Sequence, residues 1–174
     1  RRHRVDRELL AEIKALEQHL VDLSRDGGDP QTRGLARDLA QRFIGRCIFT
    51  WYLLDRGLAQ KFLPPDLPAD LSAMFATADS AFRLFDWLRA TFNGDLFPMD
   101  DPGAEREHLS PDHLAYLRDF IEGRSLIPER KGQGRLFRFR FNAIPVDLVS
   151  SIYQQFARAS AAEEADSQGL HYTP

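Results

Sequence analysis

Asp112, Glu129 and Lys131 are the residues of this chain whose types and order most resemble a reactive set. Two carboxylates and a lysine are what a metal-dependent nuclease uses, the carboxylates holding the ion and the lysine sitting near the attacked phosphate. Against that reading, Pro111-Asp112 is already explained as a helix start. Glu129-Arg130-Lys131 lies in a glycine-flanked loop rather than on an element that would fix its geometry. The histidines are His3, His19, His108, His113 and His171, and the spacing of His108 and His113 does not put two ligands on one helix face. With Cys47 the only cysteine, a zinc site has no support and an internal disulfide is impossible. The chain has no Gly-x-Ser-x-Gly elbow, no phosphate loop and no complete Gly-x-Gly-x-x-Gly, so acyl transfer, nucleotide hydrolysis and dinucleotide binding are unsupported.

The remaining candidate is a basic segment. Arg124, Arg130, Lys131, Arg135, Arg138 and Arg140 interleave with Phe137 and Phe139, a pattern that could put cations on phosphates while aromatic residues anchor a strand. Alternating Phe and Arg is equally what a half-buried strand looks like, and the solvated-face reading is the stronger of the two. A formal net charge of -3 argues against binding nucleic acid through overall charge, which leaves local patches.

These residues must be positioned by helices. The 174 residues, 43% hydrophobic and 28% charged, have the composition of a globular domain, and no apolar run approaches the roughly 20 residues needed to span a bilayer. Cys47, set among Phe43, Ile44, Ile48 and Trp51, reads as a buried thiol in a reducing cytoplasm. Apolar residues recur at helical spacing from Val5 to Leu23, before Gly27-Gly28-Asp29-Pro30 breaks the pattern. A second helix, from Gln31 or Gly34 to Arg56, is apolar around much of its surface and is the candidate central helix.

Gly57 and the prolines Pro64, Pro65 and Pro68 predict an irregular connection, followed by a short helix near Ala69 to Ala76 and another from Asp79 or Ser80 to Thr91. Pro98 to Glu107 reads as polar connection. Ser110-Pro111 starts a helix that Gly123 ends, with Leu114, Leu117, Phe120 and Ile121 as its inner stripe. Leu136 to Phe141 alternates as a strand does, and Pro145 opens a final helix in which Val146, Leu148, Val149, Ile152, Tyr153 and Phe156 fall at helical spacing. Ala157 to Ser167 lacks an apolar stripe and reads as a fraying helix end or linker. The expected fold is mainly α, with one short β-strand or hairpin near residues 125–141.

Several segments taken in order resemble one family. Phe43-Ile-Gly-Arg-Cys-Ile-Phe-Thr-Trp-Tyr-Leu-Leu-Asp-Arg-Gly57, Asn93-Gly-Asp-Leu-Phe97, Ile144-Pro-Val-x-Leu-x-x-Ser-Ile-Tyr153 and Gly169-x-x-Tyr-Thr-Pro174 are similar to the region before the catalytic domain of large bacterial N6-adenine DNA methyltransferases. Type IIG restriction-modification enzymes and related phage-defence methylases are of this kind. The resemblance spans roughly residues 35–174 and implies a helical connector over 1–156, a linker or fraying end over 157–168, and the start of a methyltransferase domain at 169–174.

It further implies that Tyr172, Thr173 and Pro174 contact S-adenosylmethionine in a longer parent protein. There a threonine hydroxyl can hold the methionine carboxylate and an aromatic ring can pack beside the cofactor. His171 departs from the pattern, standing where the family usually carries a second aromatic residue. The glycine-rich cofactor loop and the Asn/Asp-Pro-Pro-aromatic motif that grips a flipped adenine are absent from these residues, so the chain alone is not expected to methylate DNA or to bind the cofactor. The partners implied are double-stranded DNA, through the parent, and the adjoining methyltransferase domain.

Overall fold

The structure, a computed structural model, describes residues 2–24, 29–92, 99–130, 139–141 and 143–167. Among them are seven α-helices and no strand: α1 (Arg2–Asp22), α2 (Pro30–Asp55), α3 (Leu71–Met74), α4 (Ala78–Thr91), α5 (Pro102–His108), α6 (Pro111–Ile121) and α7 (Val146–Ser167). The protein is mainly α-helical, as its periodicity predicts.

The central helix is α2. Asp29 caps it by accepting the Gln31 N–H at 3.1 Å, with Pro30 in the first turn. Every residue from Phe43 to Ile48 is buried, so this stretch is enclosed on all sides. Helices α1 and α7 pack against α2, α6 packs against α1, and α3 bridges α4 and α6. Leu9, Ile13, Leu16 and Leu20 of α1 meet Phe43, Ile44 and Ile48 in one core that also takes in Phe85, Leu117 and Ile152. Each such side chain removed from water contributes about 1.5–3 kcal/mol, which is what holds helices of mixed propensity together. Trp51 is the hub, edge-on to Phe120 at 5.7 Å and tilted on Phe141 at 4.9 Å.

The predicted helix stops are real: Gly57 and Gly123 have φ of 68° and 78°, a left-handed conformation that suits glycine. Ser110 caps α6 as expected, and Leu114, Leu117, Phe120 and Ile121 are its buried face. The α7 backbone continues to Ser167 as helix, through the stretch without an apolar stripe.

Two expectations are corrected. Pro102 to His108, read as loop, is the helix α5, capped by Asp101, whose carboxylate accepts the Ala104 N–H at 3.0 Å. The strand expected from residue 136 does not extend into the described part, 139–141, although Phe139 and Phe141 point inward and Arg140 outward as alternation demands. The reason lies in the hydrogen bonds. The Phe141 N–H donates to the Asp55 carboxylate at 2.8 Å, while the carbonyls of Arg140 and Phe141 accept from Ala143 and Ile144 in a turn, so neither backbone group of Phe141 is left for a ladder. Leu136 to Arg138 lie outside the described residues.

Candidate functional site

The concentration of buried polar chemistry lies where α5 docks on α2. One turn of α2 separates Arg42 from Arg46, which places both on one face, and the short α5 presents Glu105 to them. Arg46 and Glu105 are 1% and 3% exposed. Arg46 Nη1 donates to Glu105 Oε2 at 2.7 Å, and Arg42 Nη1 donates to Glu105 Oε1 at 3.0 Å. Arg42 also reaches Asp100 and Asp38, each at 3.1 Å. Burial works against the Arg42 charge, but hydrogen bonds to Asp100 and Glu105 and the field of Asp38 outweigh it and raise its pKa. The Arg46 guanidinium lies over the Phe85 ring at 4.7 Å.

One turn beyond Glu105, His108 joins a second cluster. Its Nε2 is 3.0 Å from the hydroxyl of Ser24, just past α1, and its ring centroid is 5.0 Å from that of His113 on α6. Burial lowers the pKa of His108; burial, and then the neighbouring His108, lower that of His113 to about 4. Farther along the same face, the His19 ring stacks on Tyr116 at 4.7 Å and its Nε2 donates to the Leu126 carbonyl at 2.8 Å. Glu12 accepts from Ser125 Oγ and from the Leu126 N–H at 2.9 Å. These contacts lash the segment after α6 along α1. They position backbone.

The sequence candidates are not gathered into one site. Arg130 donates to Glu8 at 2.5 Å, a bond that also lowers the Glu8 pKa, whereas Asp112 lies beside His113, near the opposite end of α1. At 1.5 Å per residue, the stretch of α1 from Glu8 to beyond His19 separates Asp112 from Glu129 by roughly 20 Å, too far to share a metal ion. Lys131 lies outside the described residues. No group of three or more His, Cys, Asp or Glu side chains among the described residues could hold a metal ion.

In the basic segment, Arg124 donates to Asp119 at 2.7 Å and also pairs with Glu122, and the Asp119 bond leads the causes raising its pKa. Arg130 is committed to Glu8, and Arg140 is exposed. Lys131, Arg135 and Arg138, like the implied cofactor residues Tyr172, Thr173 and Pro174, lie outside the described residues. Two of the described arginines thus meet acidic partners instead of presenting free charge.

Sequence reasoning missed Glu105 and its two arginines. Arg46 is hidden in the apolar pattern of α2, and Glu105 lies in a stretch with no apolar period. The available signal was Asp101-Pro102 followed by Glu105, a cap, a first-turn proline and a first-turn acid. Cys47, by contrast, is wholly buried as expected, and burial raises its thiol pKa.

The second structured seam joins α2 to α7. Tyr153 Oη donates to the Gly45 carbonyl at 2.5 Å, and burial raises the phenol's pKa. A Cβ on residue 45 would stand 3.2 Å from Tyr153 Cε1, so only glycine allows this approach without movement. Arg56, lying over the Tyr52 ring at 4.6 Å, donates to the Ile144 carbonyl at 3.1 Å and fixes the entry to α7. Among the described residues, no helix is long and apolar enough to cross a membrane. No protein-family model matches the chain, and neither a curated protein nor a solved structure matches it.

Proposed function

We propose that this chain is a non-catalytic helical connector of an adenine-specific DNA methyltransferase of the restriction-modification type, working in the cytoplasm. Its role is to set the direction in which the polypeptide enters the S-adenosylmethionine-dependent domain that acts on double-stranded DNA. The observation that supports this reading is the contact of Gly45 with Tyr153. The two residues are 108 positions apart, and each belongs to a different one of the segments that carry the resemblance. A connector needs such a seam. By locking α7 to the central helix it holds an α-helix of 22 residues, about 33 Å long, at a defined angle. The cofactor contacts implied for Tyr172, Thr173 and Pro174 would then act with groups supplied by the adjoining domain.

Calorimetry with S-adenosylmethionine separates this reading from an autonomous cofactor-binding domain. The chain by itself is expected to give a helical circular dichroism spectrum and no heat of binding; micromolar affinity would refute the connector role. In the full reading frame, Gly45→Val is expected to lower N6-adenine methylation several-fold, measured by mass spectrometry of the DNA. Unchanged methylation would remove the seam from the function.

A further inference from the structure

The corner where α1 ends, α5 ends and α6 begins holds two histidines in unlike environments. His108 closes α5 and bridges to Ser24, with the Phe43 ring of α2 stacked 6.5 Å away. His113 occupies the third position of α6 and is 4% exposed. Its Nδ1 lies 3.2 Å from the Ser110 backbone N–H and 2.6 Å from Ser110 Oγ. The same N–H also reaches the His108 carbonyl at 3.0 Å; because a backbone N–H can only donate, its second contact makes Nδ1 the unprotonated acceptor, and Nε2 carries the proton of the neutral ring. That Nε2–H is buried with no partner among the described residues. The start of α6 is therefore held by a reciprocal cap in which a neutral histidine does what a glutamate or glutamine does elsewhere.

We propose that this corner is an acid-opened latch: protonation of His113 turns the capping acceptor into a donor, leaves the Ser110 N–H to the His108 carbonyl and places a buried cation beside His108. The first turn of α6 then separates from the ends of α5 and α1, while the α1–α2–α7 core stays in place. The surrounding groups favour this response. From α5 the facing groups are His108 and, one turn back, Glu105, whose carboxylate is taken up by Arg46 and Arg42 of α2. From the end of α1 it is neutral Ser24, and from α2 the uncharged Phe43. Only Asp112, on α6 itself, favours the charged ring, against burial and His108. Because the folded pKa, about 4, is below the ordinary 6.5, the stability His113 provides is complete above pH 6.5, falls as pH drops toward 4, and is constant below that.

The decisive variant is His113→Gln, which keeps an acceptor three residues after Ser110 and cannot titrate. Urea unfolding followed by circular dichroism at pH 7.0 and 4.5 should show the wild-type folding constant falling roughly 10- to 100-fold more than that of the variant. Equal losses would overturn the proposal. Nitrogen-resolved NMR of the wild-type imidazoles at pH 7 should show His113 protonated at Nε2, and a proton on Nδ1 would overturn it whether or not the variant folds. Amide spectra taken from pH 7 down to 4 should show Ser110 and residues 112–114 shifting with the signals of Gly45 and Tyr153 retained. Simultaneous loss of both sets would mean ordinary acid unfolding and no latch.

Discussion

Replacing Glu105 with glutamine would leave the Arg46 guanidinium charged and shut in. The side chains of Arg46 and Glu105 are 2% and 3% exposed, so water cannot take the place of the carboxylate. Glutamine has nearly the same volume, so the change adds no cavity and isolates the charge. Removing one partner of a buried pair costs about 3–5 kcal/mol, largely the penalty of the uncompensated ion. Two features reduce it here. Arg42 is 21% exposed and retains Asp38 and Asp100, and Arg46 keeps the Phe85 ring at 4.7 Å, a cation–π contact of about 0.5–2 kcal/mol. The expected loss is about 3 kcal/mol. For a chain of this size, that corresponds to a fall in Tm of roughly 6–12 °C.

Urea unfolding should show a lower midpoint with an unchanged slope, since the surface exposed on unfolding is the same. Adding Arg46→Met removes the stranded charge and should recover most of the loss, making the two substitutions strongly non-additive. A cost for Glu105→Gln below about 1 kcal/mol, or a double variant no more stable than the single one, would refute the assignment of this pair as a closed, water-free contact.

Gly45→Val should destabilise the α2–α7 seam by about 1–3 kcal/mol through overpacking against Tyr153, whereas Tyr153→Phe, which only deletes the hydroxyl, should cost about 0.5–1.5 kcal/mol; denaturant titration of both distinguishes steric from hydrogen-bond loss. The Cys47 thiol, wholly buried and with its pKa raised by that burial, should react with a thiol reagent at neutral pH only as fast as the protein unfolds, and labelling at the rate of a free thiol would show that the core around α2 is open.

The helices that could be read from sequence were those whose signals are local. Ser110-Pro111 and Gly123 mark the ends of α6 through the backbone's own hydrogen-bond needs, and the apolar spacing of α1 and α2 marks the faces they bury. Helix α5 was not legible because its buried residue is Glu105, and a search for apolar periodicity is blind to a helix that docks through charge. Phe139 and Phe141 have the alternation of a strand, yet the Phe141 N–H and carbonyl are both taken by groups other than a neighbouring strand. Alternation reports which side chains face inward and says nothing about which group takes the N–H.

Composition and spacing thus determined that the chain is helical, which of its helices is central, where most of them stop, and that Cys47 is interior. Tertiary structure alone decided that Arg46 meets Glu105 across 59 residues, that Ser24 meets His108 across 84, and that Asp55 captures the Phe141 N–H across 86. Helix signals arise from hydrogen bonds and packing within a few residues, so they are written in adjacent letters. The partner of a buried charge or an orphan N–H depends on which elements pack together, and that is settled by the burial of the whole core.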